Sequence, residues 1–234
     1  MTLSYNPDDV CVIIPAFREE DKIADTVERT KPYASHIVVI DDGSPDATVE
    51  KAEASGVTVL CHEENQGKGR ALETGFDHAR GGEAPMIITL DADGQHDPAE
   101  IPAFVEAHQT SGDPVIIGNR MSDVEEMPRV RKWTNRFMSF LLDGIMRQHV
   151  PDTQCGYRLY ARDVLPEIRM RAARYSAESE ILLILAEQGV KIGSVPIATI
   201  YEDEVSKIRP GKDTLRFIRM LYRYFKSRFK RKIG

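Results

Sequence analysis

The chain has 234 residues, of which 41% are hydrophobic and 29% charged, a composition typical of a globular α/β protein with one large domain or two small ones. Its longest apolar runs, such as 181–186, fall far short of the roughly 20 residues that a membrane-spanning helix needs. The polar N-terminus does not resemble a signal peptide, and three cysteines without a C-x-x-C pair argue against a disulfide framework or a zinc site. The sequence therefore predicts a cytoplasmic protein without a spanning helix.

Short apolar runs alternate with amphipathic stretches through the first half of the chain. Strands are predicted at 10–14, 37–40, 57–60, 86–90 and 115–117, and helices near 20–33, from 45, near 67–79 and from 98. Proline follows a capping residue at Ser44-Pro45 and at Asp97-Pro98, which is typical of helix starts. Strands that alternate with helices predict a mostly parallel sheet flanked by helices.

The pattern changes after Arg120. A charged segment at 123–132 precedes a predicted helix at 133–146, a polar loop at 150–156, a helix at 177–188 and a β-rich run at 190–201. Since no repeat or linker interrupts the chain, we expect one domain over residues 1–212 and a C-terminal amphipathic helix over 213–234.

The net charge of −6 conceals a basic tail, because residues 215–234 contain eight basic residues and no acidic one. Apolar residues recur there at spacings of three and four, with a basic stripe one residue later. That pattern indicates either a helix in a membrane interface or a terminal helix packed on the domain with a solvated basic face. The acidity of the remaining chain disfavours nucleic-acid binding.

Two carboxylates follow the predicted strand at 86–90, in the segment Asp91-Ala92-Asp93-Gly94-Gln95. Open α/β sheets bind ligands at the carboxyl ends of their strands. Hard divalent cations take oxygen ligands, commonly one or two carboxylates together with water and substrate phosphates. Asp91, Asp93 and the amide oxygen of Gln95 therefore predict a magnesium or manganese site.

Two further polar segments are predicted at the same edge of the sheet. Asp41-Asp42-Gly43-Ser44 ends the second strand, where a carboxylate can bind a ribose hydroxyl or a base N–H, or can simply cap the next helix. Pro15-Ala16-Phe17-Arg18-Glu19 ends the first strand. Carboxylates gathered around one crevice repel each other unless a cation joins them.

The loop Asp152-Thr153-Gln154-Cys155-Gly156-Tyr157-Arg158 is rich in hydrogen-bonding groups. Cys155 has no base near it in the sequence, so we expect a buried thiol rather than a nucleophile. The six histidines lack metal-site spacing and are interpreted as structural or exposed.

The segments 15–23, 41–46, 65–69, 91–95 and 152–158 together resemble a family 2 glycosyltransferase, in particular the dolichyl-phosphate mannose and glucose synthases. The resemblance runs from about Val10 to Arg219. It implies the GT-A fold, a Rossmann-like and mostly parallel sheet, a nucleotide-sugar donor, Mg²⁺ or Mn²⁺, and inversion at the anomeric carbon. One departure is Arg18, which replaces the usual asparagine before the glutamate of the first motif.

The resemblance also assigns roles to residues. The donor would be bound by Pro15, Ala16, Glu19, Asp41 or Asp42, Lys68, Asp91 and Ala92. The metal would be held by Asp91, Asp93 and Gln95. Catalysis would depend on Asp93, Arg120, Arg131, Asp152, Arg158 and Lys207, whose cationic members would meet the donor diphosphate and the acceptor phosphate.

We therefore expect transfer of a hexose, from GDP-mannose or UDP-glucose, to a dolichyl or undecaprenyl phosphate at the cytoplasmic face of a membrane. A lipid phosphate is already an anion at pH 7, so this reaction needs no general base. One alternative is a hydroxyl acceptor on a sugar or protein, with Asp152 as base. A second is a non-catalytic module that binds a nucleotide-sugar.

Overall fold

The computed structural model describes residues 3–122, 129–169, 177–198 and 221–222, and of 129–135 it describes the backbone. The strands in this part of the chain are β1 (Val10–Ala16), β2 (His36–Asp41), β3 (Thr58–Cys61), β4 (Met86–Thr89), β5 (Val115–Asn119), β6 (Arg158–Ala161) and β7 (Ile192–Pro196). The α-helices are α1 (Ile23–Thr30), α2 (Thr48–Ala54), α3 (Lys68–Arg80), α4 (Ile101–Ser111), α5 (Arg129–Met146) and α6 (Ala177–Glu187).

The strands form one sheet in the order β3-β2-β1-β4-β6-β5-β7. All neighbours pair in parallel except β6, which is antiparallel to both β4 and β5. The prediction of a mostly parallel α/β sheet flanked by helices is confirmed. The sequence did not predict β6, which lies in the middle of the sheet.

The central strands are apolar because helices cover both of their faces. Every residue of β1 and of β4 is buried. Helix α3 packs on β1 and β2, and α6 packs against α3 and α5. At Gly75 of α3 an added Cβ would lie 2.4 Å from Cγ2 of Ile13, so glycine lets the helix approach the sheet closely.

Strands β1, β2 and β4 run in parallel and therefore end at the same edge of the sheet. Main-chain hydrogen bonds connect this edge. Asp42 N, just after β2, donates to Ala16 O of β1 at 2.9 Å, and Leu90 N, just after β4, donates to Ile13 O of β1 at 3.0 Å. This edge brings together the three acidic segments that the sequence singled out.

Several predictions concern residues outside the described part of the chain. They include the segment 123–128, Lys207 and all of the basic tail at 213–234 except residues 221 and 222, which are helical. The boundary at residue 212 therefore stays a prediction. Among the described helices, none combines the length and the hydropathy needed to cross a bilayer.

Candidate active site

Asp91 lies just beyond β4 and is paired with a lysine. Its Oδ1 is 2.6 Å from Nζ of Lys68, the first residue of α3, and the same Nζ is 2.8 Å from Oε1 of Glu178. Burial alone would raise the pKa of Asp91, but the charge of Lys68 outweighs it and lowers this pKa to about 2. Burial would lower the pKa of Lys68, and the two carboxylates raise it instead. All three groups are therefore charged at neutral pH.

The loop after Asp152 closes over this ion pair. A Cβ added at Gly156 would lie 2.8 and 2.9 Å from the two carboxylate oxygens of Asp91, and 2.9 Å from Nζ of Lys68. Any side chain at position 156 would therefore occupy the space at the carboxylate. Glycine there lets the loop backbone approach the site.

The residues present fit a divalent cation that completes its coordination with ligands from outside the protein. Asp91, Asp93 and Gln95 are half-buried and offer oxygen donors, and Asp91 already accepts one cation, the ammonium of Lys68. Oδ1 of Asp93 accepts a hydrogen bond from Gln95 N at 3.0 Å, which fixes the turn after Asp91. No cluster of three His, Cys, Asp or Glu side chains enclosing a metal occurs in the described residues. A metal here would take its other ligands from phosphate and water.

Asp41 and Asp42, both buried at the end of β2, have different surroundings. Asp42 accepts hydrogen bonds from the main-chain N–H groups of Gln66 at 2.9 Å and Gly67 at 2.7 Å, and lies 2.8 Å from Nδ1 of His62. Asp41 accepts one bond from Ser44 N at 2.9 Å through Oδ2. Within the described residues its Oδ1 is buried and accepts none. Of the two, Asp41 is therefore the carboxylate that keeps hydrogen-bonding capacity unused within the described residues.

The loop after β1 lies beside Asp41. Pro15 and Ala16 are buried strand residues, and the main-chain N–H of Glu19 donates to Oγ1 of Thr48 at 2.9 Å. Arg18 has a φ of 59°, in the left-handed region, and its N–H donates to Oγ of Ser44 at 2.9 Å. Asparagine tolerates this region better than other side chains. That preference gives a physical reason for the asparagine that the resemblance leads us to expect where this chain has arginine.

Arg120 and Asp152 form a buried ion pair. Nε of Arg120 lies 2.7 Å from Oδ2, and Nη2 lies 3.0 Å from Oδ1. Burial alone would raise the pKa of Asp152, but the charge of Arg120 and its hydrogen bonds lower it. A carboxylate held this way is a poor proton acceptor, so the pairing weighs against Asp152 as a general base.

Arg158 is buried in β6 and donates to three main-chain carbonyls: Nε to Cys155 at 2.7 Å, Nη2 to Thr153 at 2.9 Å and Nη1 to Glu178 at 2.8 Å. Its guanidinium therefore joins the loop before β6 to the start of α6. In this arrangement Arg158 shapes the site, and the bonds it makes leave it little freedom to turn towards a phosphate.

Cys155 is fully buried, and burial raises the pKa of its thiol to about 11. Nε2 of His96 lies 3.9 Å from its Sγ. Burial lowers the pKa of His96 to about 4, so this imidazole is neutral at pH 7. Both observations agree with a structural thiol.

The structure gives less information about the remaining predicted site residues. Ala92 is buried beside the site, and its carbonyl accepts a hydrogen bond from Oγ1 of Thr26 at 3.4 Å. Arg131 lies in α5, but its side chain, like all of Lys207, is outside the description. Glu178 was missed, because in the sequence it is only an acidic residue in the first turn of a predicted helix.

The sheet with its acidic edge defines a GT-A type of nucleotide-sugar transferase fold, and comparison with a solved structure agrees. Glucosyl-3-phosphoglycerate synthase from Mycobacterium tuberculosis, solved with UDP, superposes with a TM-score of 0.70 at 21% identity, over 89% of this chain and 77% of that one. Other crystals of the same enzyme contain Mg²⁺ or Mn²⁺ together with UDP. At this level of identity the likeness shows the fold alone.

The sequence comparisons identify the family. The profile of glycosyl transferase family 2 matches residues 11–169. An uncharacterized protein of Methanocaldococcus jannaschii is 37% identical over 207 residues, 85% of this chain and 84% of that protein. The UDP-N-acetylglucosamine–dolichyl-phosphate N-acetylglucosaminyltransferase of Methanococcus voltae is 32% identical over 220 residues, 83% of this chain and 86% of that enzyme. The chain belongs to glycosyl transferase family 2 and is a glycosyltransferase.

Proposed function

We propose that this glycosyltransferase moves a hexose, with inversion, from a nucleotide-sugar to a polyprenyl phosphate. The observation that carries the choice of acceptor is the buried pair of Arg120 and Asp152. A hydroxyl acceptor needs a base, and Asp152, the base that the sequence offers for it, is tied to an arginine. A lipid phosphate needs none. The relative from Methanococcus voltae, whose name gives dolichyl phosphate as its acceptor, supports this reading.

The donor would bind at the shared edge of β1, β2 and β4. Oδ1 of Asp41, which accepts no hydrogen bond within the described residues, would receive a ribose hydroxyl or base N–H, and Pro15 and Ala16 would line the same pocket. Asp91, Asp93 and Gln95 would hold Mg²⁺ or Mn²⁺, which would neutralise charge on the departing nucleoside diphosphate. Lys68 adds a cation close to Asp91. Positive charge and alignment of the two anions are the main requirements of this reaction.

The acceptor would reach the site from a membrane surface. Phe137 and Phe140 of α5 are 53% and 74% exposed, and the sequence from 129 to 142 contains four basic and no acidic residues. On the opposite side of the same helix, Oγ of Ser139 accepts a hydrogen bond from Thr153 N at 3.2 Å. Exposed aromatic rings thus lie on the helix that contacts the loop at Asp152, and its sequence is basic. Together with the predicted helix at 213–234, these features support peripheral binding at the cytoplasmic face.

A matrix of donors and acceptors tests the proposal. The donors are GDP-mannose, UDP-glucose and UDP-N-acetylglucosamine, with Mn²⁺ or with EDTA. The acceptors are a short polyprenyl phosphate, the polyprenyl alcohol of the same length, and a simple sugar. We expect release of one nucleoside diphosphate that requires both the metal and the lipid phosphate. Equal turnover with the alcohol or the sugar would establish the hydroxyl-acceptor alternative instead.

A further inference from the structure

The ammonium of Lys68 is shared by two carboxylates, Asp91 at 2.6 Å and Glu178 at 2.8 Å. Lys68 is also the first residue of α3, where the helix dipole disfavours a cation. Its position therefore depends on the two carboxylates. Only one of them, Asp91, follows β4 in the predicted metal-binding segment.

Glu178 is more buried than the lysine that it contacts. It lies in the first turn of α6, where the helix dipole favours a carboxylate, and its carbonyl accepts a hydrogen bond from Nη1 of buried Arg158 at 2.8 Å. The side chain of Glu178 is 11% exposed, whereas that of Lys68 is 31% exposed. A lysine side chain has a flexible four-carbon stem. Of the three groups, the ammonium is thus the one that a ligand could most readily displace.

A divalent cation bound by Asp91 would compete with this ammonium for the carboxylate. Both are attracted to Asp91, and like charges on one carboxylate repel each other. If the ammonium leaves Asp91, Glu178 already provides a second partner within hydrogen-bonding distance. A nucleoside diphosphate would provide further negative charge for it.

We propose that Lys68 occupies the metal position on Asp91 until the donor binds, and that the metal and the diphosphate then displace it onto Glu178 and the diphosphate. Glu178 is a positioning residue, because it keeps the displaced ammonium beside the site. This inference rests on the proposed function and assigns a cation exchange to its donor site. Opposed shifts in metal and nucleotide affinity are necessary for the exchange, and the coupling between Lys68 and Glu178 distinguishes it from simple charge effects.

The first measurement compares Lys68→Met with the unaltered chain. Mn²⁺ alone is titrated by electron paramagnetic resonance, and UDP or GDP is titrated by calorimetry at saturating Mn²⁺. Because the competing cation is gone, Lys68→Met should bind Mn²⁺ alone about tenfold more tightly, and because a diphosphate ligand is gone it should bind the nucleotide about tenfold more weakly. Lys31→Met, which removes a lysine paired with Glu28 in an exposed salt bridge, should change neither affinity.

The second measurement tests whether Glu178 acts through Lys68. In Glu178→Gln the lysine keeps Asp91 as its carboxylate partner, so Mn²⁺ alone should bind several-fold more weakly. The same substitution in the Lys68→Met background should change Mn²⁺ affinity less than about twofold, because its effect is transmitted by the lysine. Glu178→Asp should recover part of the affinity. Circular dichroism melts confirm that each variant is folded.

Three outcomes overturn the exchange: both affinities moving in the same direction in Lys68→Met, neither of them moving, or Glu178→Gln having equal effects in the two backgrounds. These readouts do not depend on turnover. A chain that shows the opposed shifts but transfers no sugar in the donor matrix would contradict the proposed function and leave the exchange standing. A chain that transfers sugar but lacks the opposed shifts would contradict the exchange and support the proposed function.

Discussion

Arg120 and Asp152 meet through two hydrogen bonds of 2.7 and 3.0 Å, one to each carboxylate oxygen, with side chains only 6% and 0% exposed. The two residues are 32 positions apart in the chain, on either side of α5. Bidentate pairing of this kind fixes both groups in orientation as well as in distance. The pair therefore anchors the loop at Asp152 to the end of β5.

Removing one member of this pair should be costly. We expect Asp152→Asn to lower the free energy of unfolding by about 3–5 kcal/mol, because it leaves Arg120 buried and charged without its counterion. Urea denaturation at pH 7 measures the loss. Arg29→Met, which breaks the more exposed pair with Asp97, should cost about 1 kcal/mol or less. A loss for Asp152→Asn no greater than for Arg29→Met would contradict the expectation.

The same pair predicts a pH dependence. Burial would raise the pKa of Asp152, but Arg120 lowers it below the ordinary carboxyl value, so the folded state favours the ionised form. The stabilisation is complete above the unfolded pKa of about 4 and is lost as the pH falls through the lower, folded pKa. The difference in stability between the unaltered chain and Asp152→Asn should therefore be constant from pH 7 to about pH 5 and shrink below about pH 4. A difference that grows on acidification would have the wrong sign.

Asp41 and Asp42 offer a matched pair of substitutions at adjacent positions. Asp42→Asn should lower the free energy of unfolding by about 1–3 kcal/mol. The amide has one oxygen and cannot replace both carboxylate oxygens as acceptors for Gln66, Gly67 and His62. Asp41→Asn should change stability by less than about 0.5 kcal/mol but weaken nucleotide binding about tenfold, or about 1.4 kcal/mol. Thermal melts and nucleotide titrations distinguish the two. If the effects were exchanged, Asp42 would be the nucleoside ligand.

Arg18 gives a prediction of increased stability. Its φ of 59° is unfavourable for an arginine, and asparagine adopts this conformation at lower cost. Arg18→Asn should raise the free energy of unfolding by about 0.5–1 kcal/mol. Arg147, with a φ of 58°, is a control away from the nucleotide edge, and Arg147→Asn should give a similar gain. A gain at position 147 without one at 18 would mean that Arg18 makes compensating contacts.

Asp93→Asn tests the assigned metal site. Turnover in the presence of Mn²⁺ should fall about a hundredfold or more, because a neutral amide is a weaker ligand for a hard cation. Asp77→Asn, an exposed carboxylate on α3, provides the control for losing one negative charge. Full activity of Asp93→Asn with metal present would refute the role assigned to this carboxylate.

Membrane binding can be measured by liposome flotation. The intact chain should float with anionic vesicles, less so at high salt, and a chain ending at Asp213 should float much less. In the full-length chain, replacing Phe137 and Phe140 together by serine should also reduce flotation, because these exposed rings would enter the interface. Equal, salt-insensitive behaviour of the intact and shortened chains would count against the basic tail as an anchor.

The sequence predicted the strands that carry the site because their signals are local. Strands β1, β2 and β4 are continuous apolar runs, and each is followed at once by the polar residues that meet at the edge. Strand β6 was missed because it is short and begins with Arg158, whose burial depends on carbonyls supplied by two other segments. A buried arginine cannot be recognised from local hydropathy.

The different roles of the carboxylates could not be predicted from the sequence either. Asp41 and Asp42 are chemically identical neighbours, and only the position of residues 66 and 67, about 25 residues further on, separates a structural role from a free one. Glu178 reaches Lys68 across 110 positions of sequence. Such pairings arise from tertiary packing, and a linear pattern contains no signal for them.

The antiparallel β6 also has a consequence for how the chain folds. Strands β4 and β5 are complete by residue 119, yet β6, the strand between them, begins at residue 158. Until it arrives, the main-chain groups of Ile88 and Ile116, which Leu159 later joins, have no partner on that side. On an emerging polypeptide β4 thus remains an open sheet edge until β6 arrives, and β7 joins the other side of β5 only after that, so the unpaired edges in this interval favour aggregation.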